Sequence, residues 1–420
     1  MNKSKVISLY SGVGGLDFGF EAAGFEIAVA VELNATACKT LRLNRRWPVL
    51  EGDIHGFASK TILKAANLKA GEADVLIGGP PCQPFSRSSY WLSGDALRLD
   101  DPRSSTLAAY LRVLRDTRPK SFLLENVCGL AYRNKDEGLR YLLDGIAEVN
   151  RQVETKYSVR WQTLDAARYG VPQLRERVFL VGSRDGHSFE FPAATHASMG
   201  AQDEDGELEP YRTAWDAIGD LEDPEDPSLA VNGIWADLLP SIPEGHNYLW
   251  HTEKGGGLPL FGWRTRYWSF LLKLKKNAPS WTIQAQPGSA TGPFHWKNRR
   301  LSVAEMCRTQ TFPDNIRFDC GRTEIQRMLG NAVPSLLAEV LAKSIRSQLL
   351  GGRKTHTMML LRPHSIAPRA APIRPVPQKY YKLIGNHPAH PGKGKGPGKV
   401  KKTRERMSSM DTSLRPELTF

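Results

Sequence analysis

The chain has 420 residues, 40% of them hydrophobic and 9% aromatic, enough to bury a sizeable core in two or three domains. Its net charge of +13 is uneven: residues 351–420 hold 15 Lys and Arg against 3 Asp and Glu, which leaves residues 1–350 almost neutral, so bulk basicity alone argues nothing about what the body binds. No stretch reaches the roughly 18 uncharged apolar residues of a membrane span, and Met1-Asn2-Lys3-Ser4-Lys5 runs directly into a strand-like segment. A cytoplasmic protein is expected, with no membrane association.

In chain order, Val6–Tyr10, Glu26–Glu32, Ala73–Ile77, Ser121–Glu125, Tyr157–Leu164 and Val178–Val181 read as short strands rich in Val, Ile, Leu and Phe. Amphipathic helical stretches lie between several of them, clearest at Ser104–Arg115 and Glu137–Val149. This alternation predicts an α/β fold, a mostly parallel sheet with helices on both faces. Around Gly186 the character changes. Residues 203–226 carry 11 acidic side chains and one basic, whereas residues 253–300 carry nine basic and one acidic, and six of the ten tryptophans fall between Trp235 and Trp296. A separate, irregular, aromatic-rich module is expected there, its acidic stretch a solvated outer face. Helical patterns return at Ser302–Gln310 and Thr323–Leu350, the second interrupted at Gly330–Pro334. After Gly351 the chain is rich in Pro, Gly and Lys, and little fixed structure is expected. The reading is thus 1–185 and 300–350 as one discontinuous domain, 186–299 as a second, and 351–420 as a basic tail.

Three clusters carry chemistry. Tyr10-Ser-Gly-Val-Gly-Gly15 follows the first strand, and glycines 12, 14 and 15 permit a sharp turn and close approach of backbone to a ligand. A dinucleotide fingerprint would want a third glycine at position 17, where Asp17 stands. Glu32 at the end of the second strand suits a carboxylate gripping ribose hydroxyls, and Asp53 could accept from an adenine amino group; together they point to a nucleoside-bearing cofactor. Gly78-Gly-Pro-Pro-Cys-Gln-Pro-Phe-Ser86 sets a thiol just past a strand end, with prolines fixing the loop. Cys82 therefore reads as a reactive thiol. Cys38, Cys128, Cys307 and Cys320 read as small buried hydrophobes, and no Cys-x-x-Cys pair suggests a metal. Phe122-Leu-Leu-Glu-Asn-Val127 delivers Glu125 and Asn126 to the same edge, where partial burial would raise the carboxyl's pKa and let it carry a proton.

These residues resemble the cytosine-5 DNA methyltransferase family of bacteria and phages. The glycine turn, Pro80-Pro-Cys-Gln83 and Glu125-Asn-Val127 occur in the family's order, followed by Gln173-Leu-Arg-Glu-Arg177, Arg308-Thr-Gln-Thr-Phe-Pro-Asp314 and Gln326-Arg-Met-Leu-Gly-Asn-Ala-Val-Pro334. The departures are small, Tyr10 for a usual Phe and Ser302 for a usual Thr. The resemblance implies a Rossmann-like S-adenosylmethionine-dependent sheet and a target-recognition domain at 186–299. It further implies that the enzyme swings a cytosine out of double-stranded DNA, attacks ring carbon 6 with Cys82 while Glu125 holds ring nitrogen 3, and methylates carbon 5. Arg175 and Arg177 are the expected electropositive neighbours, Arg177 near the base's carbonyl oxygen. S-adenosylmethionine is expected among Tyr10, Gly12, Gly14, Gly15, Glu32, Asp53, Ile54, Pro80 and Asn331.

DNA contacts are expected from Gln83, Ser86 and Arg87 in a loop closing over the site, and from Arg264 and Arg266 in the basic, aromatic half of the module. The tail either raises non-specific DNA affinity or solubilises the chain. The protein is expected to act as a monomer, with a restriction endonuclease as a companion of the same system. A transfer-RNA methyltransferase of related fold remains an alternative, though the Cys-Phe-Thr tripeptide expected before Arg300 is absent. A catalytically silent DNA-binding module is disfavoured by the intact Cys82 and Glu125.

Overall fold

The computed structural model describes residues 3–81, 105–132, 136–198, 208–262 and 268–385. A seven-stranded sheet forms from β1 (Lys5–Leu9), β2 (Glu26–Glu32), β3 (Val49–Glu51), β4 (Val75–Gly78), β5 (Ser121–Val127), β6 (Ser158–Asp165) and β7 (Glu176–Ser183), in the order β3-β2-β1-β4-β5-β7-β6. The first five run parallel, and β7 is antiparallel to both neighbours, Glu125 pairing with Phe179 and Val127 with Arg177. The six expected strands are present, with ends shifted by one or two residues. The three-residue β3 carries too short a pattern to read.

Strand residues alternate between two apolar layers, as period two demands, except in β2, where a register shift after Ile27 moves Val29 and Val31 to the opposite layer. Ile7, Leu9, Val29, Val31, Leu76, Phe122 and Leu124 pack with α3 (Ser59–Ala65), α4 (Ser105–Thr117) and α5 (Glu137–Val153), after α1 (Gly15–Ala22) and α2 (Ala35–Asn44) in the chain. Val6, Ile27, Val75, Ile77 and Leu123 pack on the other face with Leu16 and Phe20 of α1. There they also meet the last helix of the domain. That helix is α9 (Ser335–Leu349), preceded by α6 (Ala214–Ile218), α7 (Val303–Thr309) and α8 (Arg322–Asn331). Each fully buried Leu or Ile contributes about 1.5–3 kcal/mol, so the two layers dominate the stability of this region. The chain reverses direction across the sheet between β1 and β4, and the crevice at such a switch point, beyond the strands' carboxyl ends, is where open α/β sheets bind ligands.

The discontinuity has a steric signature. A Cβ on Gly19 would stand 2.4 Å from Ala338 Cβ and from the Ser335 carbonyl oxygen, and one on Gly15 would stand 2.3 Å from the Val333 carbonyl oxygen. The N-terminal glycine turn is thus closed by residues more than 300 positions later.

Between β7 and α7 the chain is mostly irregular, with only α6 as an α-helix among the described residues. Polar side chains hold it. Lys273 is buried and donates to the Ile242 carbonyl, Lys276 and Glu244 form a buried pair, and Arg299 donates to Glu305 and Asp223 at 2.7–2.9 Å. Residues 203–207 of the acidic stretch lie outside the described residues; of the others, Glu209, Asp220, Glu222, Asp223, Glu225 and Asp226 are exposed, as expected of a solvated face, with Asp220 pairing with Arg308 and Asp223 with Arg299 and Lys297. Asp216 is the exception among the described acids, buried and closing a capping box with Thr213.

The tail also departs from expectation over residues 357–374. The main-chain N–H groups of Met359 and Leu360 donate to the two oxygens of fully buried Glu339 at 2.7 and 2.9 Å, and Lys343 bridges Glu339 and the Thr357 carbonyl. Ser365 N–H donates to Asp216 at 2.6 Å, the Arg362 carbonyl accepts from Arg212 at 2.9 Å, and Arg374 N–H reaches the Pro240 carbonyl at 3.0 Å. This strap runs from α9 past Gly170, against which Leu361 packs, to α6 and Pro240. Its composition misleads because charged acceptors hold its backbone, which needs no apolar periodicity.

Among the described residues, 249–262 and 377–385 group apart from the rest. Within this group, Gly257 N–H donates to the Trp250 carbonyl and Phe261 N–H to the His251 carbonyl, each at 2.9 Å, and Gln378–Leu383 forms a 3₁₀ turn with Tyr380 buried.

Candidate active site

The glycine turn leaves β1 with Tyr10 at φ 55°, Gly12 at 54° and Gly14 at 90°, left-handed values that glycine adopts freely and that tyrosine holds only under constraint. The constraint on Tyr10 is its hydroxyl, which donates to the Thr106 carbonyl at 2.8 Å, tying the turn to the first residues of α4. Burial, and next the nearby Asp53 carboxylate, push that phenol well above its usual range. Glu32 anchors the turn from β2, accepting from Gly12 N–H at 2.8 Å and from Asn34 N–H at 2.7 Å. A side chain at Gly12 would meet nothing within 4 Å, so the backbone faces open space. At the end of β3, Asp53 caps the turn Ile54–Gly56 by accepting from His55 N–H at 2.9 Å, while Ile54 is buried in the core and its carbonyl accepts from Arg112. Asn331 closes α8 as an exposed residue two positions before Val333, which abuts Gly15. Electrostatic coupling between Arg327 and Glu32 likewise brings α8 to this edge.

Beside this turn, β4 and β5 deliver the second cluster. Asn126 is buried and donates to the Pro80 carbonyl at 3.1 Å, and the Thr106 hydroxyl donates to the Pro81 carbonyl at 3.2 Å, so the loop after β4 is held up to the residue before Cys82. Glu125 lies against the same loop: a Cβ on Gly79 would stand 2.9 Å from its Oε2. Its Oε1 is 3.0 Å from Arg177 Nε on the paired strand β7. Burial raises the Glu125 pKa and outweighs the opposing pull of Arg177 and Arg175. The carboxyl is therefore more easily protonated than a free one and is oriented by a cation.

Arg175 is buried, with Nη2 donating to the Gly330 carbonyl at 2.9 Å and neither Nε nor Nη1 paired. Burial and the neighbouring Arg177 disfavour its charged form. Cys82, Gln83, Ser86, Arg87, Arg264 and Arg266 lie outside the described residues. The remaining expected site residues gather at the carboxyl edge of β1, β2, β4 and β5, from the end of β3 and from the α8–α9 corner. Trp268 and Trp281 stack edge-to-face at 5.4 Å within the aromatic module, whose Lys273, Lys276 and Arg299 are engaged internally and so are not part of a free basic surface.

Asp17 went unread as a site residue. It is fully buried with both carboxylate oxygens unpartnered. Its signal was a charge inside the otherwise apolar run Leu16-Asp-Phe-Gly-Phe20.

Comparison with known proteins extends this geometry. A type II methyltransferase of Streptomyces achromogenes, M.SacI, is 40% identical over 369 residues, covering 82% of this chain and 93% of its own. M.AquIA of Picosynechococcus, also a type II methyltransferase, is 45% identical over 253 residues, 59% of this chain and all of its own. Among solved structures, the DNMT2 of Spodoptera frugiperda superposes with a TM-score of 0.57 at 18% identity, covering 82% of this chain and 99% of its own, a likeness of fold. The sequence profile of the C-5 cytosine-specific DNA methylases matches residues 4–347, and the chain belongs to that family.

Proposed function

We propose that this enzyme methylates carbon 5 of a cytosine swung out of double-stranded DNA within a specific sequence, using S-adenosylmethionine and the thiol of Cys82. The observation that carries the reading is Glu125. It is a buried carboxyl with a raised pKa against Gly79, three positions before Cys82, and it is aligned by Arg177 at 3.0 Å. Carbon 5 of cytosine is a poor nucleophile until the ring's electrons are rearranged. The Cys82 thiolate forms a bond to ring carbon 6 while Glu125 donates a hydrogen bond or proton to ring nitrogen 3, which makes carbon 5 enamine-like. After methylation, loss of the carbon 5 proton restores the ring and expels the thiolate. Arg177 steadies Glu125 and faces the base's carbonyl oxygen, with Arg175 beside it.

The pocket's residues fit S-adenosylmethionine, which when bound supplies an activated methyl group on a sulfonium. Support comes from the open face at Gly12, the Glu32 carboxylate with a lone pair left on each oxygen for ribose hydroxyls, and the unpartnered Asp17 carboxylate. Tyr10, Gly14, Gly15, Asp53, Ile54, Pro80 and Asn331 complete the pocket. Residues 186–299 act as the target-recognition domain, with Arg264 and Arg266 on DNA, and Gln83, Ser86 and Arg87 close over the extruded base. The type II relatives support a restriction–modification role.

Expression in a host without cytosine methylation, followed by bisulfite sequencing, tests activity and reads the target together. Cys82→Ser is expected to abolish the signal, and near wild-type methylation by that variant would refute the nucleophile. Duplex carrying 5-fluorocytosine is expected to trap a covalent adduct.

A further inference from the structure

We propose that Asp17 is the buried counter-charge of the cofactor site, a carboxylate that favours a cationic occupant over the neutral one left once the methyl group has gone. This inference rests on S-adenosylmethionine being the cofactor.

Asp17 stands in the first turn of α1, directly after the glycine turn, with no solvent exposure and no hydrogen-bond partner on either oxygen. Such groups are rare in folded proteins, because an ionised carboxylate loses its hydration on burial and gains nothing unless a cation or donor replaces it. The surroundings supply no cation among the described residues. The Ser8 hydroxyl on β1, itself paired with the Ser11 hydroxyl at 2.8 Å, and the main-chain N–H of Asp17 favour the charged form, but burial outweighs them. The charged groups that act on Asp17 are Glu32 from β2 and Glu21 from its own helix, both carboxylates. Glu21 is neutralised by Arg45 at 2.7 Å, and Glu32 accepts only main-chain N–H groups, from Gly12 and Asn34. Arg327 of α8 is coupled to Glu32, whereas no cation among the described residues acts on Asp17. Burial pushes the Asp17 carboxyl up to about 7.

The missing cation has a chemical candidate. S-adenosylmethionine carries a sulfonium, an ammonium and a carboxylate, a net charge of +1, whereas its demethylated product keeps the last two and is neutral. The two ligands otherwise share their adenosine and amino-acid groups. Acting through the low-dielectric interior, an ionised Asp17 stabilises the sulfonium form and is indifferent to the thioether. Entry of the cation draws the proton off Asp17. Methyl transfer removes the positive charge, the carboxyl takes a proton back, and the product is held less tightly.

Titration calorimetry on the full chain at pH 7, in phosphate and in Tris, counts protons released with each ligand, since the two buffers differ in ionisation enthalpy. Binding of S-adenosylmethionine is expected to release a sizeable fraction of a proton, and S-adenosylhomocysteine close to none. In Asp17→Asn the difference is expected to vanish and the affinity ratio of the two ligands to fall on the order of tenfold, as a loss of one pKa unit's worth of interaction would give. Equal proton release with both ligands in the wild-type chain overturns the inference, and that measurement stands even where the variant fails to fold. An unchanged affinity ratio in a folded Asp17→Asn overturns it too. Absence of binding by either ligand refutes the cofactor assignment, and this inference with it.

Discussion

The sheet and the irregular segment between β7 and α7 are held together by opposite means. In the sheet, main-chain ladders and two apolar layers do most of the work, and the charged residues at its carboxyl edge, Glu125 and Arg177, sit on a frame that does not depend on them. In the irregular segment buried charges, such as Lys273 on the Ile242 carbonyl, Lys276 on Glu244, and Arg299 between Glu305 and Asp223, share the frame with an apolar cluster that includes Leu274, Ile283 and Trp296. A charge at the sheet's edge is therefore available for chemistry, whereas Lys273, Lys276 and Arg299 are committed to structure.

The sharpest way to break this contrast is Glu125→Gln. We expect it to lower kcat/KM by about 100-fold or more, the usual contribution of a positioned acid or base. Thermal unfolding should move by only a few degrees, because Arg177 retains some access to water. A large fall in melting temperature would show that the edge charge was structural after all. Lys276→Met should do the reverse, costing about 3–5 kcal/mol in urea unfolding because it strands buried Glu244 without its partner. Replacing both partners with apolar residues should recover most of that loss.

Truncation after Leu350 should cost about 3 kcal/mol or more, since it takes the Met359 and Leu360 N–H groups from buried Glu339 and the Ser365 N–H from buried Asp216. Truncation after Gly385 spares those bonds and should change stability little. The smallest effect concerns His295, 3.5 Å from Glu305. Burial lowers its pKa to about 4 despite that neighbour. The unfolded chain then binds a proton that the native one refuses, so native stability is lost as pH falls from about 6.5 toward 4. His295→Gln should flatten that part of the pH–stability curve.

The same contrast governs what could be read from the sequence. Strands such as Phe122–Val127 were legible because apolar residues run up to a strand end and stop at Glu125 and Asn126, a pattern that needs no knowledge of partners. The glycine turn was legible for the same reason, each glycine answering a local demand of the backbone. The strap was not, since Met359 and Leu360 use their N–H groups and say nothing by their side chains. Within the acidic stretch Asp216 was the residue that misled, because an acid's burial is decided by partners far away, here the Ser365 N–H of the strap. One local signal was there to use: Thr213-Ala-Trp-Asp216 has the spacing of a capping box, which marks Asp216 as structural.

The near-contact of Gly15 and Gly19 with Val333, Ser335 and Ala338 bears on biosynthesis. A nascent chain leaves the ribosome N-terminus first, yet the turn formed by its first fifteen residues has no outer wall until the residues around Ala338 have emerged. Competence to hold a small molecule at that turn arises only near the end of translation of the domain, so the unfinished polypeptide must carry its apolar α1 face uncovered through most of its synthesis.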